Sequence, residues 1–154
     1  MRLPKVVRDF LAAQNTLTLA TSNGDGSPHA CDLFYAHTAD AFYFLSDPKT
    51  CHVRNLAREP RVSATIHGVS EGWRDIRGIQ MVGLAARVDD CTERACAFAR
   101  YLAKYAFVRE TLPRGEMLGH RHEILGVVDL YKLTPHWTRW IDNTHAFGHK
   151  KEFA

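Results

Sequence analysis

Ser46, Lys49, Thr50 and His52 bring two hydroxyls, an ammonium and an imidazole into one short stretch of chain. They follow Phe42-Tyr43-Phe44-Leu45, four aromatic or apolar residues that read as a strand bound for a core. Asp47-Pro48 predicts a helix start, with the carboxylate as N-cap and proline at the first helical position. Val53, Leu56 and Ala57 recur at i, i+3 and i+4, so the short helix has one apolar face, and Pro60 ends it. Such a strand-to-helix corner offers free backbone N–H groups, the positive end of a helix dipole, a hydroxyl pair and a cation. That set suits a phosphate. The same pattern also closes ordinary corners, whose cap and lysine meet only water.

The elements that must position this corner follow from periodicity. Leu3, Val6, Val7, Phe10 and Leu11 share one face of a 3.6-residue repeat, so an amphipathic helix opens the chain. Thr16 to Thr21 alternates polar and apolar as a half-buried strand, and Asn23-Gly24-Asp25-Gly26-Ser27-Pro28 is a dense turn signal. His29 to His37 returns as a strand, with Cys31, Leu33 and Tyr35 on one face and Asp32 and Phe34 on the other, which makes a hairpin. Thr38-Ala39-Asp40 turns into the strand before the corner. Beyond Pro60, Arg61 to His67 alternates as a strand, and residues 68–72 form a loop. Ile76 to Val88 reads as a long strand in which Gly78 and Gly83 mark a bend, a bulge or a close approach. Thr92-Glu93 opens a helix striped by Ala95, Phe98, Ala99, Leu102 and Ala106. Residues 108–124 read as a loop or short irregular helix, Gly126 to Leu133 as a last strand, and residues 134–154 as an aromatic-rich C-terminal tail. Short strands joined by tight turns, with few helices between them, argue for an antiparallel barrel rather than a βαβ sheet.

A chain of 154 residues forms a single domain, long enough to bury roughly 70% of its unfolded surface. The net charge of +3 is too small to point to nucleic acid. No run approaches ~18 apolar residues, which excludes a membrane-spanning helix, and the first residues lack an apolar signal core, so the expected compartment is cytoplasmic. There is no G-x-G-x-x-G opening a helix, no Walker loop and no G-x-S-x-G nucleophile elbow. Cys31, Cys51, Cys91 and Cys96 show no C-x-x-C pair and read as reduced small hydrophobes. His120-Arg121-His122-Glu123 invites a metal, but i, i+2 histidines share a face only on a strand and no further ligand is spaced to join them. No metal site is therefore assigned.

The order of these pieces resembles a known family. A leading helix, a hairpin about Asn-Gly-Asp-Gly-Ser-Pro and Phe-Tyr-Phe-Leu-Ser-Asp-Pro-Lys-Thr, with Val53-Arg54-Asn55-Leu56 close behind, is similar to the FMN-binding split barrel of pyridoxamine-5′-phosphate oxidase and its relatives. Arg77 to Ala85 resembles the family's next core strand. The Asp142-Asn143-Thr144…Phe147-Gly148-x-Lys150 ending resembles a small branch of uncharacterised bacterial members. The resemblance spans residues 3 to 150 and implies a mainly β fold with flanking helices: a six-stranded antiparallel split β-barrel, homodimeric, with cofactor sites at the subunit interface.

It further implies that Ser46, Lys49, Thr50 and His52 hold the FMN phosphate, with His52 where many relatives carry lysine. An imidazole there supplies no fixed charge. By the same resemblance Cys31, Asp32, Leu33 and Phe34 line the isoalloxazine edge, Gln80 reaches the ring from the neighbouring strand, and Trp140 approaches it from the other subunit. A flat, mostly apolar ring needs close backbone approach and a few oriented polar groups. Gly78 and Gly83 allow the one and Gln80 supplies the other, while Asp32, Gln80, Trp137 and Trp140 also read as ordinary strand and packing residues. The activity implied is an FMN-dependent oxidoreductase acting on a small-molecule substrate. The family's C-terminal Arg/His substrate arrangement is not found, which argues against pyridoxamine phosphate itself. The alternative is a flavin- or haem-binding protein without turnover.

Overall fold

A computed structural model describes residues 3–110 and 128–153. The His120–Glu123 segment and most of the stretch expected as a loop lie outside the described residues. The order is α1 (Lys5–Ala13), β1 (Thr16–Ser22), β2 (Pro28–Phe34), β3 (Ala36–His37), β4 (Phe42–Ser46), α2 (Cys51–Leu56), β5 (Arg61–His67), β6 (Arg77–Arg87), α3 (Cys91–Lys104), α4 (Ala106–Glu110), β7 (Asp129–Asp142) and β8 (Lys150–Phe153). All pairings are antiparallel, in the order β2-β1-β5-β6-β7-β4-β3 with β8 on β7. This curled sheet is the split half-barrel architecture that the sequence implies. No described helix is long and apolar enough to cross a membrane.

The six expected strands are present, joined by two short ones. The strand expected over 29–37 breaks at Tyr35, whose buried hydroxyl donates to the Leu11 carbonyl at 2.7 Å. The tail expected from residue 134 is instead the second half of β7, followed by β8. Pro135 disguised it, since proline normally interrupts a ladder. Here the β6–β7 register shifts between Val82 and Gly83, opposite that proline. A Cβ at Gly83 would collide with the Thr134 carbonyl oxygen and lie 2.8 Å from Pro135 Cα, and one at Gly78 would lie 2.9 Å from the Ile66 carbonyl. The close approach read from these glycines is thus made by neighbouring strands.

The main core lies inside the curl. Alternate residues of β1 (Leu17, Leu19), β5 (Val62, Ala64, Ile66) and β6 (Ile79, Met81) meet Val7, Phe10 and Leu11 of α1 and Phe42 and Phe44 of β4. At the hairpin, Gly26 adopts φ +84°, and Asn23 and Ser27 close the turn through Asn23 N–H to the Ser27 carbonyl at 2.8 Å. On the far side of β4, Tyr43 and Leu45 pack with Ala97 of α3.

Candidate functional site

Ser46 ends β4 on the face that carries Phe42 and Phe44, at the edge of the main core. The chain then turns tightly. The Asp47 carboxylate accepts from the Lys49 amide at 2.7 Å, and the Asp47 carbonyl accepts from the Thr50 amide at 3.0 Å and the Thr50 hydroxyl at 2.8 Å. Asp47 therefore caps this turn and not the helix. α2 starts at Cys51 with Thr50 as N-cap and is six residues long, so the dipole expected at Pro48 is displaced and weak. Side chains, more than the helix end, give the corner its chemistry.

Three of them converge. Ser46 Oγ lies 2.6 Å from His52 Nε2, Thr50 Oγ1 lies 3.2 Å from the same nitrogen, and the two hydroxyls are 3.2 Å apart. Burial, and then the neighbouring His29, holds the His52 imidazole below its ordinary value, so it is neutral at pH 7. A proton inventory follows. Thr50 spends its proton on the Asp47 carbonyl. With the proton on Nε2, His52 donates to Ser46 and leaves the Ser46 hydroxyl free to donate outward. Lys49 is exposed, and its ammonium makes no ion pair with the described residues.

The floor beneath is a network that the sequence reading missed. Asn55 is fully buried, and its amide donates to Thr21 Oγ1 at 3.1 Å and Asn23 Oδ1 at 2.9 Å, while its carbonyl oxygen accepts from Arg58 at 2.8 Å. Cys51 donates to the same Asn23 oxygen at 3.4 Å. These bonds pin α2 to the β1–β2 hairpin. An asparagine between the apolar Val53 and Leu56 was the available signal.

On β2, alternation divides the residues assigned to the ring edge. Cys31 and Leu33 pack against the main core, whereas Asp32 and Phe34 are on the outer face. Asp32 accepts from Thr18 at 2.5 Å, and Phe34 lies edge-on to Tyr105 and Phe107 at 5.3 and 5.6 Å. Gln80 is also on the outer face, in the cross-strand row Asp32–Thr18–Thr65–Gln80–Arg139–Glu152. Within one chain it stands on the opposite side of the sheet from Ser46 and His52. Trp140 is 4% exposed and set edge-on to Phe10 at 4.9 Å, so within one chain its ring packs in the main core. Trp137, an odd number of residues away, faces outward beneath Arg139 at 4.8 Å.

His29 and Cys31 form the second arrangement that sequence reasoning missed. At i and i+2 on β2 they share a face, and one donor atom from each lies within 4.8 Å of the other and of a His52 ring nitrogen. The rings of His29 and His52 are nearly parallel, 6.4 Å apart. Burial, then Asp32 and Cys51, pushes the Cys31 thiol up. Cys91 and Cys96, read as small hydrophobes, are exposed on α3. Separately, a cleft of about 580 Å³ opens on the outer face, lined by Ala20, Ser22, Arg61, Ser63 and Val82 and reaching Thr21 and Asn23.

The profile of the pyridoxamine 5′-phosphate oxidase family matches residues 3–139. The chain belongs to that family. Among family proteins, the UPF0306 protein plu4501 of Photorhabdus laumondii is 28% identical over 148 residues, covering 95% of this chain and 92% of that one. It represents an uncharacterised bacterial branch. A haem-binding protein from Mycobacterium smegmatis superposes with a TM-score of 0.74 at 23% identity; all of this chain is covered but only 60% of that protein's length. HutZ, the haem storage protein of Vibrio cholerae, gives 0.67 at 20% identity, over 88% of this chain and 92% of its own. At these identities the likeness is one of fold.

Proposed function

We propose that this family member is an FMN-binding flavoprotein, an FMN-dependent oxidoreductase that works on a small-molecule substrate as a homodimer. The observation that carries the reading is the convergence of Ser46, Thr50 and His52 next in sequence to Lys49, whose ammonium makes no ion pair with the described residues. Lys49 supplies the fixed charge for the phosphate and Ser46 a hydroxyl donor, while Thr50, its proton held by the Asp47 carbonyl, braces the turn. His52 sets the direction of the Ser46 hydroxyl. When bound, FMN supplies the hydride and electron chemistry. Cys31 and Leu33 border the same interior end of β2. Asp32, Phe34 and Gln80 face outward, where a second copy brings its own corner.

A visible spectrum of the freshly purified protein tests the cofactor class, and a two-banded flavin spectrum is expected. Lys49→Ala with Thr50→Ala should weaken FMN binding about 10- to 100-fold, the loss of one or two charge-assisted hydrogen bonds. Unchanged affinity by fluorescence titration would sink the phosphate assignment. Reduction of the bound flavin by a nicotinamide donor separates an oxidoreductase from a passive binder. The second reading is haem, favoured by solved structures of this fold that bind or store it. A single intense Soret band would select it.

A further inference from the structure

We propose that His29, Cys31 and His52 form a binding site for a borderline divalent metal ion, zinc in the first instance. The inference rests on their geometry and not on the FMN reading. Two imidazoles and one thiol each bring a donor atom within 4.8 Å of the others, with no carboxylate among them. Nitrogen and sulfur donors without hard oxygen select zinc-class ions over magnesium or calcium.

Two firmly held elements supply the ligands. His29 and Cys31 are fixed on one face of β2 by their register opposite Thr21 and Leu19 of β1. His52 is in the first turn of α2, which Asn55 ties to that same hairpin. Ser46, 2.6 Å from Nε2, holds the His52 ring in its plane. Metal bonds of about 2.0–2.3 Å in a tetrahedron put ligand atoms roughly 3.3–3.8 Å apart. The trio therefore closes on an ion by side-chain rotation, without moving either element. Cys51 stays outside the group, its thiol committed to Asn23.

Three protein ligands leave the fourth position to water or an exogenous donor, the arrangement of an open site. His29 and Cys31 are only half-buried, which gives that position access. On binding, the Cys31 thiol gives its proton to solvent and the thiolate sulfur bonds the ion, with no change of oxidation state.

The test is a Co²⁺ titration of the full chain, reduced and freed of metal by a chelator, followed by absorption. One ion per chain is expected, with a thiolate-to-cobalt charge-transfer band that added Zn²⁺ bleaches. Cys31→Ser should abolish the band and Cys51→Ser should keep it. His29→Ala should weaken Co²⁺ binding by more than the roughly 10- to 100-fold typical of outer-sphere partners. That variant leaves Ser46, Lys49, Thr50 and His52 in place and keeps the assay decisive if Cys31→Ser does not fold. No charge-transfer band, or one that survives both Cys31→Ser and His29→Ala, overturns the site. FMN titration of the wild-type chain is a separate readout: cobalt failing there while FMN binds removes the metal site alone, and the reverse removes the flavin reading alone.

Discussion

A neutral imidazole accepts as well as donates, so His52 and Ser46 form a pair whose polarity depends on the ring tautomer, whereas a lysine at this position would only donate. Lys49 is left as the corner's fixed charge. Burial makes histidines sensitive elements elsewhere too. His37, between Tyr35 and Phe42, is pushed down to about 4 from an ordinary 6.5 by burial and by the charges of Lys104 and Arg100. The fold therefore prefers the neutral ring and the unfolded chain takes the proton first. That contribution is complete above pH 6.5 and is lost as pH falls from 6.5 towards 4. The shift of His52 has the same sign. The paired carboxylates act lower: Glu59, clasped by Arg61, is held down to about 2 from 4.5. Urea midpoints should be flat just above pH 7 and decline between about 6.5 and 4.5, and His37→Phe should remove part of that decline. An identical slope in the variant would assign it to other groups.

Among the elements, α3 is set by a cap and a three-way polar contact. Asp90 accepts from the Glu93 amide at 2.7 Å, and the Glu93 carboxylate accepts from Tyr43 and Lys132, each at 2.8 Å, joining α3 to β4 and β7. Asp90→Ala should cost about 1 kcal/mol in denaturant unfolding. Gly83→Ala should cost more, about 2 kcal/mol, because the added carbon meets strand backbone that has no rotamer to yield. Equal stability of Gly83→Ala and wild type would show that the bulge can relax. Most strands and the hairpin were legible because alternation and Asn-Gly-Asp-Gly-Ser-Pro are local signals. The start of α2 was not, since the Asp47 side chain accepts from the Lys49 amide within the turn instead of capping the helix. Nor was the run of β7 through Pro135, which depends on a glycine opposite it in a distant strand. The corner residues were legible for being contiguous. His29 and Cys31 were not, because His52 joins them only through the packing of α2 on the hairpin, and the side of the sheet on which Gln80 stands is likewise a tertiary fact.

Across the whole molecule, the polar corner opens at the interior end of the sheet, while the outer face carries exposed apolar side chains. Phe34, Val82 and Leu84 are 44%, 37% and 51% exposed, and Val82 also borders the outer cleft. Exposed apolar side chains grouped on one sheet face, next to the polar row that contains Gln80, suit a second copy better than water. In a homodimer built on this face, Gln80 and Asp32 of one copy meet what the other presents, which reconciles their outward placement with a role beside the cofactor. A monomer leaves them on the wrong side of the sheet. Val82→Asp with Leu84→Glu should therefore convert the proposed dimer to a monomer by light scattering. Exposed substitutions of this kind cost the fold little, within about 0.5 kcal/mol each, so circular dichroism should be unchanged. FMN affinity should fall together with the dimer, because the corner keeps its own donors but loses the opposing wall. Full affinity in a folded monomer would place the entire flavin site within one chain and leave Gln80 with no part in it. A wild-type monomer would remove the interface itself, and with it the reason for these apolar side chains to share a face.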